Sequence, residues 1–130
     1  MYYDDDSLIF QSKGLPNSWL CVDFQDYEVK LTHYSIKSNS YGGKGHSHPQ
    51  SWDIEGSNDS SNWIKLDSRR NEKSLDDCGA LNTFNIQNEN NEDNNDYYRY
   101  IRIIQRGVNT HNNNTLAFAA IEFFGCIQSK

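Results

Sequence analysis

No segment of this chain sustains a helical apolar period for three turns; short β-branched and aromatic runs recur instead between clusters of Gly, Asn, Asp and Ser. That pattern excludes helix bundles, and because no helical stretches alternate with the runs it excludes a βαβ fold as well. Candidate strands are 18–24, 28–38, 51–57, 63–68, 82–86, 98–105 and 116–125. In 18–24, Trp19, Cys21 and Asp23 alternate with Leu20, Val22 and Phe24, as on a strand with one buried and one partly covered face. In 28–38 the apolar set Val29 and Leu31 gives way to Tyr34 and Ile36, an odd-numbered shift that predicts a bulge or a strand passing between sheets. Seven or more such strands with turn signals between them predict an all-β antiparallel sandwich or barrel.

A length of 130 residues fits one domain that can bury a core unaided. Mean hydropathy is only −0.88, but 13% of the residues are aromatic, so a few large rings can build that core. Trp19, Trp52 and Trp63, on separate strands, are expected in it. The Ser57 to Asn62 run reads as a turn whose short polar side chains bond their own backbone. Arg99 and Arg102, beside Tyr98 and Tyr100, are expected to lie over rings or to pair with acids on a neighbouring strand. The Asn, Asp and Glu-rich segment 87–96 reads as a surface loop.

The net charge of −6 disfavours nucleic acid and anionic membranes as partners. The longest apolar stretch, near 116–121, is far shorter than a membrane span, and the acidic N-terminus carries no signal region. Three cysteines, Cys21, Cys78 and Cys126, are an odd number without C-x-x-C spacing, against both a disulfide framework and a four-thiolate zinc site. A reducing, intracellular and cytoplasmic setting is therefore expected, with Cys21 as a small core residue.

The strings PNSWLCVDF at 16–24, LTHYSIKS at 31–38, SWDIEGSND at 51–59 followed by Asn62 and Trp63, YRYIRI at 98–103 and IEFFGC at 121–126 together resemble the discoidin family, also called the coagulation factor V/VIII C-type domain. The resemblance runs from about Phe10 to Cys126 and implies a jelly roll of about eight strands in one domain over 1–130, with 1–9 a truncated remnant of the family's first region. The wording is most similar to intracellular members that accompany BTB and related adaptor domains in longer proteins. Two departures matter. Cys126 matches the second cysteine of a terminus-joining disulfide in extracellular members, but no cysteine precedes Cys21, so a free thiol is expected. A glutamate that helps hold a structural calcium in glycan-binding relatives is replaced by Ala120, so no metal or other cofactor is expected.

Function then falls to the loops at one end of the sandwich. Loop 39–50 carries Tyr41, His46 and His48 among glycines; loop 69–80 begins with Arg69, Arg70 and Asn71; loop 107–115 carries Asn109 and His111. His46 and His48, two apart without a nearby carboxylate or thiol, read as surface histidines and not as a metal pair. No G-x-S-x-G, H-E-x-x-H, phosphate-cradling glycine motif or cysteine beside an evident base is present, so no catalytic residue is expected. The expectation is a non-enzymatic module binding a protein or peptide partner through these loops. The alternative is a carbohydrate-binding module, since the resemblance implies that His, Arg and Asn from matching loops grip sugar hydroxyls while an aromatic side chain packs on the ring.

Overall fold

The computed structural model describes residues 2–4, 10–40, 43–86 and 97–130. Two four-stranded antiparallel sheets face each other. The first takes β1 (Tyr2–Asp4), β10 (Ala120–Ser129), β4 (Tyr27–Lys37) and β7 (Leu81–Asn85) in that order. The second takes β3 (Trp19–Asp23), β8 (Tyr100–Gln105), β5 (Trp52–Ser57) and β6 (Ile64–Arg69), and a short pair joins β2 (Phe10–Gln11) to β9 (Ala117–Phe118). The seven candidate strands are all present, the last divided at Ala119, whose N–H donates to Lys37 O at 2.8 Å. The stretch 1–9 contributes β1 at the edge of the first sheet; 87–96 and Tyr41 lie outside the described residues.

The shift in 28–38 is a bulge. Phe124 pairs His33 and Gly125 pairs Leu31, so Thr32 is the extra residue, exposed, with Val29, Leu31, Tyr34 and Ile36 all turned inward. Only glycine fits opposite it, because a Cβ on Gly125 would stand 2.0 Å from Lys30 O. The start of β4 also bridges Val29 to Tyr98, which leads into the second sheet.

The core holds Tyr34, Ile36, Trp52, Ile54, Phe84, Ile101, Ile103 and Ile121, with Trp52 edge-on to Phe84 at 5.2 Å. Of the three tryptophans expected there, only Trp52 is buried; Trp19 is 53% exposed and Trp63 is half-buried. Register explains the difference. Trp19 shares its face with Arg102 and Glu55, because Cys21 pairs Arg102 and Arg102 pairs Glu55, so alternation turns Trp19 outward while Leu20 and Val22 pack on the core. Cys21 lies on that outer face too, half-buried, where burial pushes its thiol pKa up and nearby Arg102 works against that.

Candidate functional site

Strand direction places loops 38–51, 70–80 and 106–116 at one end of the sandwich, and hydrogen bonds interlock them. Segment 46–51 runs between the other two. On one side Gln50 O accepts from Glu72 N at 2.7 Å, Asp76 Oδ1 accepts from Gly45 N at 2.9 Å, and Lys73 Nζ donates to Gln50 Oε1. On the other side Thr110 N donates to His48 O at 3.0 Å, Thr110 Oγ1 to His46 O, and Gln50 Nε2 to Val108 O at 2.9 Å. The loop end is thus a hydrogen-bonded surface with its backbone groups largely satisfied internally.

Within it the sequence candidates take different roles. His46 and His111 are exposed and stack face to face, ring centres 6.2 Å apart and 9° from parallel. His111 Nδ1 meets Gly45 O at 2.9 Å and, since a carbonyl oxygen only accepts, Nδ1 is the donor of that bond. His48 is fully buried, with Nε2 on Gly43 O at 2.9 Å, so it supports the turn beneath His46. His46 and His48 therefore point to different environments and make no metal pair; among the described residues no group of three or more His, Cys, Asp or Glu is placed to hold a metal ion.

Asn109 is likewise buried and structural. Its amide donates to Asn113 Oδ1 at 2.6 Å and Thr115 O at 2.8 Å, while its Oδ1 accepts from the N–H of His111 at 2.9 Å, folding the loop that presents His111. Arg69 is the last residue of β6, bonded to Asp67 at 3.0 Å and lying over Phe84 at 5.1 Å. Arg70 is exposed and donates to Asp53 Oδ1 at 3.0 Å and Trp52 O at 3.0 Å. Asn71 takes a left-handed backbone, φ 54°, with its N–H on Ser51 Oγ at 3.0 Å. Arg70 and Asn71 adjoin Ser51, whereas His46 lies five residues back along the central segment, at most about 17 Å away. The loop end thus has an imidazole corner and an arginine–asparagine corner.

Beside the second corner, the outer face of the second sheet carries a charge array that the sequence reading did not assemble. Asp53 is buried there beneath Lys65 at 3.7 Å, Arg70 at 3.0 Å and Arg106 at 3.0 Å. Burial alone would raise its carboxyl pKa, but bonds from Ser68, Arg70 and Arg106 hold it below the ordinary value. Glu55 takes Arg102 at 2.7 Å and Arg106 at 3.4 Å. The Arg102 guanidinium lies over Trp63 at 3.9 Å and within 5.9 Å of the Trp19 ring. Arg99 meets Asp23 at 2.8 and 3.0 Å and covers Tyr100 at 4.8 Å, as its position in the chain led one to expect. Register across four strands brings these groups together, and no local motif marks them in the sequence.

No protein-family model and no curated protein sequence matches this chain. Solved structures do match in fold. A SusE-like protein, BT2857, superposes with a TM-score of 0.68 at 14% identity over 92% of this chain and 52% of that one. The Clostridium perfringens module CpGH89CBM32-5, solved in complex with GalNAc-β-1,3-galactose, gives 0.65 at 13% identity over 93% and 78%. The CBM32 of AlyQ, solved in complex with 4,5-unsaturated mannuronic acid, gives 0.63 at 16% identity over 94% and 81%. The fold is therefore the discoidin-like β-sandwich shared with CBM32 carbohydrate-binding modules.

Proposed function

We propose that this domain is a non-catalytic carbohydrate-binding module that grips sugar hydroxyls at the loop end. The observation that carries the reading is the exposed parallel pair His46 and His111, anchored from two loops by Thr110, Asn109 and Gly45. Two imidazole edges fixed side by side match the donor and acceptor character of adjacent ring hydroxyls, and the fixed loops lower the entropic cost of binding. Arg70 and Asn71 at the other corner would meet a second residue of the glycan. The glycans bound by the structural neighbours support this choice of ligand class. Tyr41, in the same loop, is the candidate for packing on the ring.

The test is calorimetry or NMR titration with GalNAc-β-1,3-galactose and with mannuronate oligosaccharides. Saturable binding is expected, weakened about tenfold by His46→Ala or His111→Ala, the equivalent of about 1.4 kcal/mol per variant. No response at several millimolar sugar, or binding indifferent to both substitutions, refutes the reading.

A second reading rests on the net charge of −6 and the free thiols Cys21, Cys78 and Cys126. In it the same loops dock a peptide or neighbouring domain inside a longer intracellular protein of the adaptor type. A pull-down in which Arg70→Ala and His46→Ala both release a defined protein, with no glycan binding by the intact domain, would favour it.

A further inference from the structure

The loop end does not account for the outer face of the second sheet. There a tryptophan is more than half exposed, although alternation could have placed a small polar residue at the same position. Cations and carboxylates are also unevenly layered on this face. The side chains of Asp53 and Glu55 are 2% and 9% exposed, whereas those of Lys65 and Arg70 above them are 58% and 45% exposed. Lys65, Arg70 and Arg106 all reach the single charge of Asp53, and Arg102 and Arg106 share that of Glu55. Four cations thus face two carboxylates on a chain whose net charge is −6. Among the acids next in sequence, Asp67 is taken by Arg69 and Tyr34 inside the sandwich, Glu72 accepts from Ser74 N, and Asp59 is bound within its own hairpin to Ser57, Ser61 and Asn62. The carboxylates of Asp53 and Glu55 are buried and Lys65 and Arg70 lie outermost, so this part of the face attracts anions within a Debye length of the surface.

We infer that this face is a second, extended glycan site selective for acidic polysaccharides, in which Trp19 stacks on a sugar ring while Lys65, Arg70 and Arg106 take successive carboxylates or sulfates. The inference rests on the carbohydrate-binding reading and names a ligand class and a surface beyond it. The strip crosses four strands, about 14 Å at the usual ~4.8 Å spacing, which suits a run of chain residues and not one end group. Arg102, held between Trp63 and Trp19 and tied to Glu55, fixes the aromatic part in advance of binding. Arg70 stands at the border between this strip and the loop end, so one chain could run from the first site onto the second.

The experiment measures binding of a mannuronate hexamer, of its carboxyl-reduced neutral counterpart and of the single-stranded polyanion poly(dT). It compares the unsubstituted domain with Trp19→Ala, Lys65→Gln and His46→Ala, each verified as folded by circular dichroism. Trp19 and Lys65 are exposed, so both variants should fold. The inference expects the hexamer to bind more tightly than its neutral counterpart, with affinity falling as salt rises. Trp19→Ala should cost roughly tenfold and Lys65→Gln roughly threefold on the hexamer, with neither affecting GalNAc-β-1,3-galactose. Equal binding of charged and neutral hexamers, or indifference to both substitutions, overturns it. Loss of hexamer binding in His46→Ala alone also overturns it while leaving the loop-end reading intact. Tighter, Trp19-dependent binding of poly(dT) assigns the face to nucleic acid instead. Failure of the intact domain to bind any of the glycans removes both glycan readings.

Discussion

Replacing Tyr34 with Phe should destabilise the domain by about 2.5–6 kcal/mol, because this hydroxyl is the hub of a buried polar cluster. Tyr34 Oη donates to Asp67 Oδ2 at 2.5 Å and accepts from Trp52 Nε1 at 2.9 Å, while Arg69 Nε donates to the same carboxylate oxygen at 3.0 Å. The Tyr34 and Trp52 side chains are fully buried, as is the carboxylate of Asp67. Burial, and then the adjacent Asp67 charge, push the phenol pKa far up, so it stays a neutral donor at all ordinary pH. Removing the hydroxyl loses one charge-assisted hydrogen bond, about 1.5–3 kcal/mol, and strands the indole N–H at a further ~1–3 kcal/mol. The ring itself fits unchanged, so no cavity term enters. For 130 residues at about 2.1 cal/mol/K each, 1 kcal/mol shifts Tm by roughly 3.7 °C, giving a fall of about 9–22 °C. Urea unfolding followed by tryptophan fluorescence reads the change directly. A loss under about 1 kcal/mol at unchanged m-value would refute the argument, since it would mean that water already serves the indole or the carboxylate. The cluster also sits at the roots of two loops, Trp52 opening β5 and Arg69 closing β6, so loop-end amides should exchange faster in the variant.

Gly125→Ala should destabilise more than a surface substitution in a strand normally does, by roughly 2–4 kcal/mol, since its Cβ would overlap the Lys30 carbonyl and the bulge pairing would have to open; a thermal melt within 2 °C of the parent would contradict this. Acid should destabilise the domain below about pH 4. Asp23, held down by Arg99, Asp59, held down by the backbone N–H groups of Asn62 and Ser61, and Asp53 all have folded pKa values below the ordinary aspartate value. A group whose folded pKa is depressed contributes stability that is complete above its unfolded pKa and lost as pH falls through the folded value. These three carboxylates therefore leave stability flat from about pH 5 to 8 and reduce it below about pH 4; a urea midpoint at pH 2.5 equal to that at pH 6 would exclude the effect.

The strand list, the sandwich and the bulge in 28–38 could be read from the chain, because alternation and turn residues are local signals and the odd step from Leu31 to Tyr34 can be met in few ways. The hairpin at Ser57 to Asn62 was legible for the same reason, since short-range bonds determine it; for Arg99 the sequence indicated the kind of partner, a ring or an acid, while the choice of Asp23 came from strand pairing. The fates of the tryptophans were not. Trp19 and Trp52 each begin a strand, and which face each presents depends on the register against β8, a non-local pairing that no window of sequence contains. The loop residues divided in the same way. The sequence supplied His46, His48, Asn109 and His111 as a set of polar candidates, but only the meeting of two loops through Thr110 determined that His48 and Asn109 go inside as supports while His46 and His111 face out as a pair. Composition and period decide which elements form, because burial of apolar faces is additive along a strand; which polar groups converge on a surface is decided by strand order and loop closure, and these exist only once the sheets have paired.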